Sequence, residues 1–209
     1  MFLIVSGGAQ PEDVFIKALA KDARMIIAAD KGAQYCLESG ITPDLAVGDM
    51  DSVQPDYLEA LEEMGVEILR FDAHKDRTDT AIALEEALKR GANEVRIIAG
   101  LGDRFDHCLA NVHLLLKALQ SDVKASIVTD RELIFLIDSD HEITSKKGRT
   151  ISFLPLTSHV GGLCLEGFEY ELTNASMDIG DPYGVSNIIT KDISRIKVDK
   201  GIIIAVLSP

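Results

Sequence analysis

The chain has 209 residues, of which 46% are apolar, enough to bury a real core in one large domain or two small ones and too many for a disordered chain. Acidic residues number 34 against 21 basic ones, a formal net charge of −13. That balance excludes unaided attraction to nucleic acid or to an anionic membrane surface, and a polyanionic ligand would need a cation as intermediary.

Taken in chain order, the apolar run at 2–5 is too short for a membrane span, has no basic leader and meets Gly7-Gly8 at once, so it reads as a first strand. No later run approaches the roughly 18 apolar residues of a membrane helix, so no membrane association is expected. Short β-rich runs then alternate with segments of helical period as far as about residue 130, the pattern of a parallel sheet with crossover helices. Strands are expected at 2–5, 25–29, 44–47, 66–69, 95–99 and 125–129. Helices are expected at 12–21, 32–39, 55–64, 78–90 and 105–120, several of them closed by Gly40, Gly65 or Gly91. Beyond Asp130 the helical period disappears. Runs at 133–137, 149–155, 163–166, 170–172, 186–190, 195–198 and 202–207 read as strands of a β-sandwich or small barrel. The expected architecture is α/β with a mainly parallel sheet and flanking helices over 1–130, followed by an all-β sandwich domain over 131–209. Cys36, Cys108 and Cys164 lie far apart with no metal or redox spacing and read as buried apolar fillers, in keeping with a reducing, cytoplasmic setting.

Ligands of open α/β sheets sit beyond the carboxyl ends of the strands. The residues that follow the first five runs are Ser6-Gly7-Gly8, Asp30-Lys31-Gly32, Gly48-Asp49-Met50-Asp51-Ser52, residues 71–79 and residues 100–107. Five strand ends thus converge on one acidic rim. Asp49 and Asp51, two apart, would point to the same side of an extended segment and face one hard cation. A lone Asp-x-Asp is more often a solvated turn, but Asp30, Asp76 and Asp79 stand at neighbouring strand ends, and clustered carboxylates repel one another unless a cation joins them. Magnesium suits the position, since it binds through one or two carboxylates plus substrate phosphates. Lys75 adds a charge suited to a phosphate oxygen, whereas Asp79 sits in a first helical turn where the dipole favours a carboxylate whatever the function.

Arg104, His107 and Asn111 recur at i, i+3 and i+7 on the helix expected to begin near Asp103, apart from an apolar stripe of Leu109, Val112, Leu116 and Leu119. That polar face lies at a helix start, where free backbone N–H groups attract anions, so Arg104 reads as a phosphate clamp, with Asp103 or Asp106 as a possible cap. Gly100-Leu101-Gly102 falls short of a dinucleotide fingerprint, because Phe105 stands at the third glycine position. By itself, Gly184-Val185-Ser186-Asn187 reads as a tight turn.

In order, Asp30-Lys31-Gly32-Ala33, Gly48-Asp49-Met50-Asp51-Ser52, Lys75-Asp76-Arg77-Thr78-Asp79, residues 102–107 with Asn111, Leu165-Glu166-Gly167 and Gly184-Val185-Ser186-Asn187 resemble the thiamine pyrophosphokinase family in its compact bacterial form. The resemblance spans nearly the whole chain. It implies transfer of the pyrophosphoryl group of ATP to the hydroxyl of thiamine, giving AMP and thiamine diphosphate, by a homodimer with its active site between subunits. It also implies an α/β domain for ATP and Mg2+ and a β-sandwich domain for thiamine. On the same ground Asp49, Asp51 and Asp79 would be the catalytic and metal-binding residues. Asp30 would belong with them to the magnesium and phosphate site of ATP, Ser52, Lys75, Asp76, Arg104, Asp106 and His107 would contact the nucleotide, and Ser186 and Asn187 would contact thiamine. The rival expectations are another heterocyclic acceptor such as a hydroxymethylpterin, a haloacid-dehalogenase-like phosphatase built on Asp49-Met50-Asp51-Ser52, and a nucleotide- or metal-sensing module without turnover.

Overall fold

The computed structural model describes residues 1–71, 77–181 and 183–208, which divide into two compact units, Met1–Asp130 and Arg131–Pro209. The expected residues Lys75 and Asp76 lie outside the described ones.

In the first unit the chain alternates β1 (Phe2–Val5), α1 (Asp13–Ala20), β2 (Met25–Ala29), α2 (Gly32–Glu38), β3 (Leu45–Gly48), α3 (Pro55–Glu63), β4 (Glu67–Arg70), α4 (Asp79–Lys89), β5 (Glu94–Ile98), α5 (Phe105–Leu119) and β6 (Lys124–Val128). The strands pair in the order β6-β5-β1-β2-β3-β4, every pair parallel. Each residue of β1 and β3 is buried, as expected of central parallel strands covered on both faces, and this is why they read as unbroken apolar runs. At the edge, β4 keeps its end residues exposed, where Arg70 pairs with Glu62 at 2.8 Å and Glu67 with Arg90 at 2.6 Å. The order runs outward from β1 to β4, then returns to place β5 on the other flank of β1. The carboxyl ends at that reversal are where the topology opens a crevice for a ligand.

Helix α2 enters close against the sheet. A Cβ on Gly32 would stand 1.9 Å from the Val5 carbonyl oxygen, so glycine is required there by the close approach of two backbones. Helix α5 is turned differently from the sequence expectation. Its buried row is Asn111, Leu115 and Ala118, while Leu109 of the expected stripe is 41% exposed. The polar Asn111 faces inward because its Nδ2 donates to the Gly100 carbonyl at 2.7 Å, which a count of apolar residues does not register.

An ion pair between Glu85 and Lys117 joins helices α4 and α5, and Glu85 also takes Arg77, which precedes α4, at 2.6 Å. The hydrogen bond from Lys117, with the charges of Lys117 and Arg77 behind it, holds the Glu85 carboxyl below the usual glutamate range. A depressed folded pKa contributes stability that is present above the unfolded value and is lost as pH falls through the folded one. Glu85→Gln is therefore expected to cost about 1 kcal/mol at pH 7 in urea titrations, with the difference from wild type shrinking below about pH 4 and in high salt.

The second unit holds β7 (Leu133–Ile137), β8 (His141–Thr144), β9 (Thr150–Pro155), β10 (His159–Glu166), β11 (Leu172–Asp178), β12 (Asn187–Ile188), β13 (Ile193–Lys197) and β14 (Ile203–Leu207). Its antiparallel strands form two sets, β12-β9-β14-β7 and β11-β10-β13-β8, which enclose one apolar core. Phe153 of β9 meets Phe168 edge to face at 5.6 Å within it. Strand β8 was absent from the sequence expectation because Ile143 is its one buried residue. Strand β13 begins two residues earlier than expected: Ser194, wholly buried, takes an inward position and donates to the Gly167 carbonyl at 2.8 Å. Among the described residues, no helix is long and apolar enough to cross a membrane.

Candidate active site

At the carboxyl ends of β2 and β3 the chain turns sharply. Asp30 has φ +48° and Met50 φ +64°, and Gly48 ends β3 at φ +146°. Met50 is buried in the apolar core of this unit, so the segment from Asp49 to Asp51 is a turn pinned by its middle residue and not the extended run expected from the two-residue spacing. Pinning Met50 inward leaves Asp49 and Asp51 on the outer side of the turn. The Asp51 N–H donates to Asp49 Oδ1 at 3.1 Å, and Ser52 Oγ donates to Asp51 Oδ1 at 2.9 Å.

Asp30, Asp49 and Asp51 each offer a carboxylate oxygen, and these oxygens lie within 4.8 Å of one another. Oδ1 of Asp30 is buried without a hydrogen-bond partner. An orphaned buried carboxylate oxygen beside two further carboxylates is an unfavourable arrangement that a hard divalent cation relieves, and the all-oxygen donor set fits magnesium. Asp79, the first residue of α4, approaches the same place from the neighbouring helix: its Oδ1 is 3.3 Å from where a Cβ on Gly48 would stand, and Asp30 Cα and Cβ lie equally near that point. A side chain at Gly48 would therefore wedge between the two aspartates.

Asparagine tolerates the left-handed conformation that Asp30 adopts. Asp30→Asn is accordingly expected to raise or preserve the melting temperature in a chelator, by removing one of three mutually repelling charges. It should also shrink the stabilisation produced by millimolar Mn2+. A variant stabilised by Mn2+ as strongly as wild type would show that Asp30 is no ligand.

The loops after β1 and β5 are laced together by backbone bonds from Ser6 N to Ile98 O at 2.9 Å, Gly8 N to Ala99 O at 2.7 Å and Ala9 N to Leu101 O at 2.7 Å. Tyr35 adds a bond from its hydroxyl to the Gly8 carbonyl at 3.0 Å, with Lys31 Nζ over its ring. This lacing fixes the crevice wall at the strand-order reversal. Helix α5 starts beside it, with Arg104 rather than Asp103 or Asp106 at the N-cap position, and the Arg104 side chain makes no capping hydrogen bond. The N–H groups of a first helical turn attract an anion, and here the Asp106 carboxyl already draws on the His107 backbone. Arg104, exposed, makes a two-point contact with exposed Asp106, whose carboxyl is held below its usual range chiefly by that hydrogen bond. His107 is also exposed on this turn. Arg77, from the neighbouring motif, is engaged by Glu85.

Ser186, in the second unit, is exposed with φ +62°, and its N–H donates to Ser152 Oγ at 3.1 Å. Asn187 is buried. Its Oδ1 accepts from the N–H groups of Tyr170 and Ile188, and its Nδ2 donates to the Tyr170 carbonyl at 2.8 Å, so it holds Tyr170's backbone in place.

A parallel sheet with a cluster of carboxylates and a helix start at the edge where such sheets bind ligands is the arrangement of an enzyme that handles phosphate groups. Residues 16–127 match the family model described as thiamin pyrophosphokinase, catalytic domain, and residues 137–203 match that of the thiamin pyrophosphokinase vitamin B1 binding domain. The chain belongs to the thiamine pyrophosphokinase family. It is similar to the thiamine pyrophosphokinase of Bacillus subtilis (strain 168), 29% identical over 207 residues that cover 98% of this chain and 97% of that protein. The crystal structure of thiamine pyrophosphokinase from Bacillus subtilis aligns with a TM-score of 0.91 at 28% identity, covering 99% of this chain and 98% of that one. The thiamin pyrophosphokinase from Geobacillus thermodenitrificans gives 0.87 at 27% identity, over 100% and 98% of the two chains. None of these likenesses favours the pterin acceptor, the phosphatase or the sensor.

Proposed function

We propose that the chain is a magnesium-dependent enzyme that transfers the pyrophosphoryl group of ATP to the hydroxyl of thiamine, releasing AMP. The observation that carries this reading is the pair of family matches, one in each unit, on a chain whose first unit gathers Asp30, Asp49 and Asp51 at the carboxyl ends of its strands.

The thiamine oxygen forms a bond to the β-phosphorus of ATP as the bond from that phosphorus to the α,β-bridging oxygen breaks, and the hydroxyl proton leaves to a carboxylate or to water. Such a transfer depends on alignment and on spreading charge over phosphate oxygens more than on covalent help from the protein. The chemistry a bound magnesium supplies is neutralisation of those oxygens. Asp49 and Asp51, with Asp30 and Asp79 beside them, are the residues that would hold it. Ser52, Lys75, Asp76, Arg104, Asp106 and His107 are assigned to the nucleotide and its phosphates, aided by the N–H dipoles at the start of α5. Ser186 is assigned to the acceptor, with Asn187 setting the backbone around it. The working form is proposed to be a cytoplasmic homodimer with its sites between subunits. Incubation of the purified protein with Mg-ATP and thiamine tests the reading: AMP and thiamine diphosphate should appear together, and the absence of both would sink it.

A further inference from the structure

Two buried hydroxyls meet where β1 ends and α4 begins. Ser6 follows β1 and Thr80 is the second residue of α4. Their Oγ and Oγ1 atoms are 2.6 Å apart, and the residues are 4% and 6% exposed. Ser6 is itself fixed, since its N–H bonds to Ile98 of β5. Burying hydroxyls is unfavourable unless they pair, so the pair constrains direction in a way that two apolar side chains would not.

Helix α4 packs across β1, β2 and β3. Its first turn has two anchors: the Thr78 Oγ1 accepts from the Ala81 N–H at 3.3 Å, and Thr80 is tied to the end of β1. Successive helical residues are about 100° apart around the axis, so tying Thr80 toward β1 sends its neighbour Asp79 to another side. That side is the end of β3, where Asp79 Oδ1 comes beside Gly48 and Asp30.

We propose that the Ser6–Thr80 hydroxyl pair is a positioning device for Asp79, setting the rotation of α4 so that this carboxylate joins the cation site. The proposal rests on the metal-binding reading given above. Neither residue is among the carboxylates gathered at the site; both act through Asp79.

Free Mn2+ counted by electron paramagnetic resonance, with melting temperatures alongside, tests it on four proteins besides wild type. Thr80→Val and Ser6→Ala should each weaken Mn2+ binding about tenfold or more, the usual consequence of removing an outer support of a metal ligand. The double variant should lose no more than either single one, because all remove the same bond. Thr80→Ser, which keeps the hydroxyl, should retain wild-type affinity even if its melting temperature falls. Folded Thr80→Val or Ser6→Ala protein that binds Mn2+ as wild type does would overturn the proposal, and so would a loss of affinity in Thr80→Ser. Wild-type protein that binds no Mn2+ would instead sink the metal reading itself, and this proposal with it.

Discussion

Asp49→Asn and Asp51→Asn are each expected to lower turnover by about 1,000-fold, roughly 4 kcal/mol of transition-state stabilisation, while the protein stays folded. Both parts follow from the geometry. An amide oxygen at 49 can still accept the Asp51 N–H, and one at 51 can still accept from Ser52, so the turn keeps the bonds seen in the acidic form. Met50, which anchors the turn in the core, is untouched. What each variant loses is one negative charge of a set whose oxygens lie within 4.8 Å of one another. Loss of charge weakens the hold on a cation and relieves repulsion in the empty site, so melting temperature in a chelator should hold or rise as activity collapses. Near-normal turnover in both variants would remove them from the catalytic machinery.

Gly32→Ala is the second large effect, and it acts on the fold. The added methyl carbon would sit 1.9 Å from the Val5 carbonyl oxygen and 3.0 Å from that of Ser6, against backbone that belongs to β1 and its end. No side-chain rotation relieves such a contact; α2 must move off the sheet. The expected loss is about 3 kcal/mol or more, a large part of the total stability of an ordinary domain. Gly40→Ala is the control. Gly40 has φ +68° and nothing near the added carbon, so it should lose only about 1 kcal/mol of conformational preference. Urea denaturation of both variants separates the two causes; equal losses would contradict the close-approach account.

The first unit was readable from sequence because its central strands are buried on both faces and appear as plain apolar runs between helices with clear stops. The second was read less fully. In β10 the glycines at 161 and 162 interrupt the alternation where the strand shifts register, and in β13 a serine takes an inward position. Short patterns fail when inward residues are small or polar and satisfied by backbone bonds.

The acidic rim was legible because parallel strands deliver all their carboxyl ends to one edge, whatever the detail of the turns. How Asp49 and Asp51 come together was not, since nothing in their spacing announces that Met50 adopts a positive φ and plugs the core. Asp30 was expected at the magnesium and phosphate site with Asp49, Asp51 and Asp79, and its carboxylate does lie with those of Asp49 and Asp51, carrying the buried oxygen that has no partner. Ser6 and Thr80 were missed because a hydroxyl pair joining positions 74 residues apart leaves no local pattern. The one available signal was a serine at a strand end and a threonine beside the first acidic residue of a helix.

The most direct test of the account is ATP labelled with 32P at the β-phosphorus, incubated with the protein, magnesium and thiamine. Pyrophosphoryl transfer predicts that the label passes to thiamine diphosphate while unlabelled AMP accumulates in equal amount. Label found in ADP, or in free phosphate or pyrophosphate with thiamine unchanged, would contradict it.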